Sequence, residues 1–305
     1  MPQPLLKRGD QGPYVIECQK LLNIVGFELL VDGFFGAVTE DAVKRFQSKA
    51  GLIADGIVGP VTWANLGTHA NSIHHAFNYN VVDEYMPMKS NQYINEKSNK
   101  IGITFHHTVS DGNPASVVRT WDNDSRGAVG THFVIGREMV NGSKQYDGQV
   151  LQCIPLDYWA HHILTTRMGF TSAHNSLVNR SYVGIELCSW GCLKKVGNRF
   201  YTIDGRIEIP ASQVTILYTP FRTYQYWHKF TPAQINSLYQ LTKALKAHLR
   251  LDFSKDGKIA DWWELSWEAM ALRRVLTTHT NFEYGKFDTF PQPEMKAMIE
   301  QLYKL

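Results

Sequence analysis

Ile103-Thr104-Phe105-His106-His107-Thr108 is an apolar run that ends in two histidines, and Val183-Gly184-Ile185-Glu186-Leu187 is a second with one carboxylate inside it. Short runs of this kind read as buried strands, here Ile101–Phe105 and Val183–Leu187. Thr131–Ile135 and Val150–Ile154 read the same way. Between them Asn113-Pro114 opens a helix through Val117, Val118 and Trp121. Further on, Thr231-Pro232-Ala233-Gln234 is a capping box with proline at the first helical position. Ile235, Leu238, Leu241, Leu245 and Leu249 then give that helix one apolar side. Strands interleaved with helices predict an α/β domain over residues 98–305.

Outward from this core, the chain of 305 residues is long enough for about two domains. Its 44% hydrophobic and 19% charged content excludes a disordered or collagen-like chain. A net charge of +3 is too small to argue for nucleic acid. No run of about 20 apolar residues predicts a membrane span. The opening residues lack the basic-then-apolar layout of a signal peptide, so synthesis in the cytoplasm is expected. Four cysteines do not make a disulfide scaffold, and Cys188 and Cys192 have no second pair with which to form a zinc finger.

Residues 1–68 predict a small three-helix domain. Val15, Cys18, Leu21, Leu22 and Val25 recur at helical spacing before Gly26. A second helix fits from Thr39 through Ala42, Val43 and Phe46, and a third from Pro60 through Trp63 and Leu66. The unit echoes itself: Asp32-Gly33-Phe34-Phe35-Gly36 precedes one helix and Asp55-Gly56-Ile57-Val58-Gly59 the next. Each Asp-Gly is a turn signal. Residues 69–97 are polar with little periodicity and read as a linker that partly packs on its neighbours. His74-His75 within them reads as a solvated pair rather than a metal site.

Three pieces of the larger domain combine into a chemistry. These are His106 at a strand end, His279 followed by Lys286 and Asp288, and Glu186 inside an apolar strand. An ionised carboxylate in such a strand is costly unless it has a partner or a task. Catalytic zinc takes three protein ligands and leaves a fourth position for water, and His106, His279 and Asp288 form a sensible N,N,O set. Glu186 can then move a proton, and Lys286, on the same strand face as Asp288, can stabilise an oxyanion. This describes metal-assisted amide hydrolysis.

The N-terminal segments DGFFGAVTEDAVKRFQ (32–47) and DGIVGPVTWANL (55–66) resemble the peptidoglycan-binding domain found beside many cell-wall hydrolases. That resemblance implies contact with the wall around Asp32, Gly33, Asp55 and Gly56. The segments ITFHHTVSDG (103–112), GTHFVIG (130–136) and VGIEL (183–187), with His279, Lys286 and Asp288, resemble the zinc-dependent N-acetylmuramoyl-L-alanine amidases. That family includes phage lysozymes of the T7 type, AmpD-type amidases and animal peptidoglycan recognition proteins. The resemblance implies a mixed central sheet flanked by helices, with Zn2+ on His106, His279 and Asp288. It also implies Glu186 as general base and Lys286 as oxyanion stabiliser. His132, in the second segment, and His161, in Tyr158-Trp159-Ala160-His161-His162, are implied to lie beside the substrate.

The expected partner is bacterial peptidoglycan and the expected state a monomer. The expected activity is hydrolysis of the amide between N-acetylmuramic acid and L-alanine, as in a phage endolysin released to the periplasm through holin pores. A wall-recycling amidase, an autolysin, a toxin or a non-catalytic recognition protein are the alternatives. Thr131 stands where some family members carry a catalytic tyrosine. Residues 191–224 read as an insertion forming a hairpin or long loop. Residues 254–273 read as another, whose Trp262, Trp263 and Trp267 suit a packed helix or the wall of a ligand groove.

Overall fold

Pro60 opens a helix in the first turn, where its missing N–H has no intrahelical partner to lose, and Pro13 does the same. The computed structural model describes residues 3–73, 81–256 and 262–305; His74 and His75 lie outside them. The chain divides into two units, Met1–Ala76 and Phe77–Leu305.

The first unit contains α1 (Pro13–Ile24), α2 (Ala37–Lys49) and α3 (Pro60–Ile73), whose apolar sides meet around Val15, Leu22, Phe35, Val43, Trp63 and Leu66. The echo in its sequence is a repeat of hydrogen bonds. Gln19 Nε2 donates to Asp32 Oδ1 (2.8 Å) and Thr39 Oγ1 (3.2 Å), while its Oε1 accepts from the Gly33 amide (3.0 Å). Gln47 repeats the pattern with Asp55 Oδ1 (2.8 Å), Thr62 Oγ1 (3.2 Å) and the Gly56 amide (2.9 Å). Gly33 and Gly56 have φ of 73° and 78°, the left-handed region that glycine enters without steric cost. Each buried glutamine thus ties one Asp-Gly turn to the helix that follows it.

In the second unit the chain forms β1 (Glu84–Tyr85), β2 (Gly102–His107), α4 (Pro114–Asp122), β3 (Phe133–Ile135), β4 (Val150–Gln152), α5 (Ser172–Ser181) and β5 (Tyr182–Leu187). It continues through β6 (Cys192–Val196), β7 (Arg199–Thr202), β8 (Glu208–Ile209), β9 (Val214–Phe221) and β10 (Tyr224–His228). Then come α6 (Pro232–Leu249), α7 (Trp267–Met270), β11 (Leu276–Thr278) and α8 (Pro293–Tyr303). The main sheet has the order β1-β4-β3-β5-β2-β11 and is mixed: only the β3–β4 pair is antiparallel.

Alternation decides what each face meets. Ile103, Phe105, Ile185 and Leu187 face the core built with Leu238 and Leu241 of α6 and Met298 of α8. On the other face Val134 packs with Val117 and Val118 of α4, and Tyr182 with Val178 of α5. The sheet is therefore covered by helices on both sides, as the sequence predicts. The capping box at Thr231 is present, with its side chain accepting from the Gln234 amide at 3.1 Å.

Three local expectations change. Residues 84–97 belong to this unit, because β1 extends the sheet beside β4 and Met88 is buried. Residues 191–224 are more than a hairpin: with β10 they build a second, five-stranded antiparallel sheet, order β8-β7-β6-β10-β9. Trp262 and Trp263 are core residues in a 3-10 turn, Trp262 packing on Phe105 at 5.6 Å, while Trp267 is exposed and starts the four-residue α7.

Candidate active site

The site stands at the carboxyl ends of three parallel strands, where α/β sheets offer their side chains to ligands. β2, β5 and β11 run side by side, with His106 opposite Glu186 and Phe105 opposite Thr278. His106 and Glu186 alternate with core-facing Phe105 and Ile185, so both project from the other face. β11 ends at Thr278, and a 3-10 turn, His279–Asn281, carries the next histidine. Asn281 Oδ1 accepts from the Thr278 amide (2.8 Å) and closes that turn. Residues 286–288 form no strand, contrary to expectation, yet the irregular segment brings Lys286 and Asp288 to the same cavity.

His106 Nδ1 lies 3.1 Å from His279 Nδ1 and 3.5 Å from Asp288 Oδ2, and His279 Nδ1 lies 2.9 Å from Asp288 Oδ2. All three residues are buried, and they are the one such cluster of potential metal ligands among the described residues. Ligands at tetrahedral zinc, with bonds of about 2.0–2.1 Å, stand about 3.3 Å apart. The donor set and its spacing fit zinc.

The electrostatics of the cluster follow from burial and from the Asp288 charge. Burial lowers the His106 pKa to about 4, leaving a neutral imidazole with a lone pair to give. Burial would raise Asp288, but His279 and the hydrogen bonds to both histidines hold its carboxyl well below the usual range. Burial also acts to lower His279, and the Asp288 carboxylate outweighs it, so its pKa is raised. Glu186 is pushed up to about 8, first by burial and then by the Asp288 charge.

Each of the two rings has a partner on its outer side. His106 Nε2 is within hydrogen-bond distance of His162 Nδ1, at 2.9 Å, and Glu283 Oε2 stands as a charge 3.6 Å from His279 Nε2. A hydrogen bond on the far nitrogen fixes which nitrogen faces a metal. Gly184 makes room for them. A Cβ there would stand 2.8 Å from Thr131 Cγ2 and 3.1 Å from His162 Nδ1.

A cavity of about 250 Å³ opens over this cluster, lined by His106, His279, Asp288, Glu186, Lys286 and His161 among others. A larger one, about 450 Å³, lies between α6 and α8, and none of the three clustered residues lines it. Five expected residues therefore converge on one cavity, with His161 on its wall.

His132 does not join them. It is fully buried, its Nδ1 accepts from the Gly184 amide (3.1 Å) and its Nε2 donates to the Tyr158 carbonyl (2.9 Å). Neither nitrogen is left for substrate, so its place beside the substrate is corrected to a structural one. Thr131 lines the cavity with its hydroxyl turned to the Phe133 carbonyl (2.9 Å). All four cysteines are buried free thiols. Asp32 and Asp55, exposed in the first unit, spend their Oδ1 atoms on the Asp-Gly turns. Glu283 and the ring-orienting part played by His162 were not read from sequence. The one signal was a carboxylate four residues after His279.

A family model for N-acetylmuramoyl-L-alanine amidase matches residues 97–280, and one for a peptidoglycan binding domain matches residues 11–66. His106, Glu186 and His279 fall inside the first match, while Lys286 and Asp288 fall beyond its end. An uncharacterized protein in the bpoA1 3' region of Kitasatospora aureofaciens is 42% identical over 66 residues, 21% of this chain and 56% of its own. The zinc D-Ala-D-Ala carboxypeptidase of Streptomyces albus G is 43% identical over 63 residues, 19% of this chain and 24% of its own. The N-acetylmuramoyl-L-alanine amidase CwlL of Bacillus licheniformis is 44% identical over 61 residues, 19% of this chain and 17% of its own. The chain thus spans between 17% and 56% of the length of these relatives. Among solved structures, PlyL aligns over 72% of this chain and 95% of its own at 12% identity and a TM-score of 0.38. The endolysin amidase LysCS from Clostridium intestinale aligns over 72% and 97% at 16% identity and a TM-score of 0.34.

Proposed function

The chain belongs to the N-acetylmuramoyl-L-alanine amidase family, and from that premise we propose that it hydrolyses the amide joining N-acetylmuramic acid to the L-alanine of the stem peptide. The observation that carries this reading is the convergence of His106 Nδ1, His279 Nδ1 and Asp288 Oδ2 in a cavity also lined by Glu186 and Lys286. Those three atoms would hold zinc, which when bound supplies Lewis acidity toward a carbonyl and acidifies water.

The chain's own residues divide the remaining work. Glu186, held on β5 across from His106, takes a proton from the attacking water and returns it to the leaving nitrogen. Burial raises its pKa, and a cation held by the neighbouring donors would act to lower it, so the carboxylate can serve as base. The Lys286 ammonium, in the same cavity, stabilises the charge that builds on the carbonyl oxygen as water adds. Water's oxygen joins the lactyl carbon, the C–N bond breaks, and the amine of L-alanine leaves with the transferred proton. His161, on the cavity wall, would touch the substrate.

Residues 11–66 match a peptidoglycan binding domain, and in this reading they hold the enzyme on its polymeric substrate and raise the local concentration of scissile bonds. The pairing of a wall-binding match with an amidase match supports a lytic, endolysin-type role. No helix among the described residues is long and apolar enough to cross a membrane.

The test is digestion of purified sacculi, with mass spectrometry of the products. Free stem peptides beginning at L-alanine, lost with a chelator and restored by zinc, are expected. Sacculi bound but uncut would instead indicate a recognition protein. Fragments opened at a glycosidic bond or a peptide crosslink would refute the reaction. Clearing of bacteria with permeabilised outer membranes tests the lytic role.

A further inference from the structure

The segment that carries Lys286 and Asp288 has no helix or strand of its own, so something outside it must set its shape. One hold comes from the tip of the β9–β10 hairpin. Phe221 and Tyr224 pair across a two-residue turn, Arg222-Thr223, and both turn residues have positive φ, 51° and 75°. A hairpin turn of this kind normally takes Asn-Gly or Gly-Gly, and a β-branched threonine in that region is a steric outlier. Strain persists only where the surroundings over-determine it, and it gathers at working sites.

The surroundings here include the segment itself, together with Glu264, whose Oε2 lies 3.8 Å from Arg222 Nη2. The Arg222 guanidinium carbon lies 5.7 Å from the centre of the Tyr284 ring, within cation–π range. Arg222 Nη2 donates to the Trp263 carbonyl at 3.2 Å, and the Trp263 indole N–H donates in turn to the Thr289 carbonyl. From the same hairpin Tyr224 and Trp227 pack on the Phe287 ring, with centres 6.0 and 5.9 Å apart. Positions 284, 287 and 289 are thereby held, and 286 and 288 lie between them.

We propose that the hairpin tip is a latch on residues 284–289 and that Arg222 is its positioning residue. It reaches Tyr284 directly and Thr289 through Trp263, and so fixes how Lys286 and Asp288 enter the cavity. The inference rests on the reading of those two as working residues. It differs from that reading in assigning part of the catalytic geometry to a sheet built from residues 192–228 rather than to the main sheet.

Two variants separate side chain from turn. Arg222→Asn keeps a residue that tolerates the left-handed region and removes the guanidinium. Arg222→Lys keeps a cation for the Tyr284 ring. Hydrogen exchange of residues 284–289, zinc affinity by chelator competition, and kcat and KM on soluble muropeptides are measured on the full chain. In Arg222→Asn, exchange across 284–289 should quicken while the β2 and β5 amides keep their protection. Zinc should bind about tenfold more weakly, and kcat should fall about tenfold with KM within about twofold. Arg222→Lys should recover part of each loss. Arg222→Asn with unchanged exchange at 284–289 overturns the latch. A wild-type chain that neither binds zinc nor cuts sacculi would instead overturn the reading of the site, and the exchange comparison would still decide the latch.

Discussion

Glu283 Oε2 stands 3.6 Å from Nε2 of His279, on the edge of the ring opposite the nitrogen that faces Asp288. Arg167 Nη1 donates to the other oxygen of the same carboxylate at 2.6 Å, so Glu283 is itself anchored. His279 thus lies between two carboxylates, one beside each ring nitrogen. A carboxylate behind a ligating histidine fixes its tautomer and raises its basicity.

Glu283→Ala should therefore weaken zinc binding by about 10–100-fold while leaving all three direct ligands in place. Competition with a calibrated chelator reads this out. Glu283→Gln, which can still meet the ring nitrogen, should lose less. An alanine variant with wild-type zinc affinity would remove Glu283 from the site.

Glu186 makes a different prediction because it is not among the three clustered donors, His106, His279 and Asp288. Glu186→Gln should retain zinc and lose turnover by about 10²–10⁴-fold, the usual contribution of a positioned base. The loss should fall on kcat rather than KM, since the group acts in the transition state. Loss of zinc in this variant would make it a ligand. Undiminished kcat would end its role as base.

These two residues also show what a sequence can and cannot disclose. Glu186 was legible because a carboxylate in the apolar run Val183–Leu187 breaks the pattern around it. His106 was legible for a related reason, since it ends a strand-like run, whereas the strand before His279 was not read and that histidine was picked out by the ligand set it completes with His106 and Asp288. The parallel register that sets His106 beside Glu186 is a property of strand order, which local periodicity does not contain. Glu283 was hidden because its partner spacing matches any surface turn of a polar segment. His132 misled for the opposite reason: it sits in a family-like segment, but its ring spans two backbone groups, Gly184 N and Tyr158 O. The second sheet escaped because its strands alternate weakly, with exposed Ile216 and Tyr218 where a core face would be expected. The three helices of the first unit were readable from caps, turns and spacing alone, since their contacts are local.

The pH dependence of stability turns on neutral buried histidines. His228 Nδ1 accepts from the Trp190 amide (3.0 Å) and its Nε2 faces Gln213 Oε1 (3.2 Å), an arrangement only the neutral ring can satisfy. Burial, then Arg137 and His107, hold its pKa well below 6.5, and burial does the same to His132. A base depressed in the fold binds its proton more readily when unfolded, so its share of stability is present above pH 6.5. That share is lost as pH falls below it. Each such histidine adds up to about 1.4 kcal/mol per pH unit to that slope. Asp256, raised to about 6 by burial, works in the opposite sense between its unfolded value and pH 6. Comparing wild type with His228→Gln therefore isolates one proton. Urea titrations at pH 5 and 7 should show a shallower pH slope in the variant. Equal slopes would mean that His228 is protonated in the fold.

The last prediction concerns the repeat in the first unit. Gln47 is buried, and it closes the second Asp-Gly turn by accepting from the Gly56 amide and donating to Asp55 and Thr62. Gln47→Ala would leave the Gly56 amide without that partner, at about 1–3 kcal/mol for one buried group. In a unit of this size that corresponds to a fall in its unfolding temperature on the order of 10 °C. Gln19→Ala should do the same to the first turn, because Gln19 makes the equivalent bonds to Asp32, Thr39 and Gly33. Neither glutamine belongs to the catalytic unit, so hydrolysis of soluble muropeptides should be unchanged in both. Pull-down with sacculi separates the two turns. If the wall is held by the surface around Asp55 and Gly56, Gln47→Ala weakens retention and Gln19→Ala does so only through general loss of stability. If the surface around Asp32 and Gly33 does the holding, the order reverses at matched temperatures below both transitions. Retention unaffected by either variant would move wall binding away from the turns altogether.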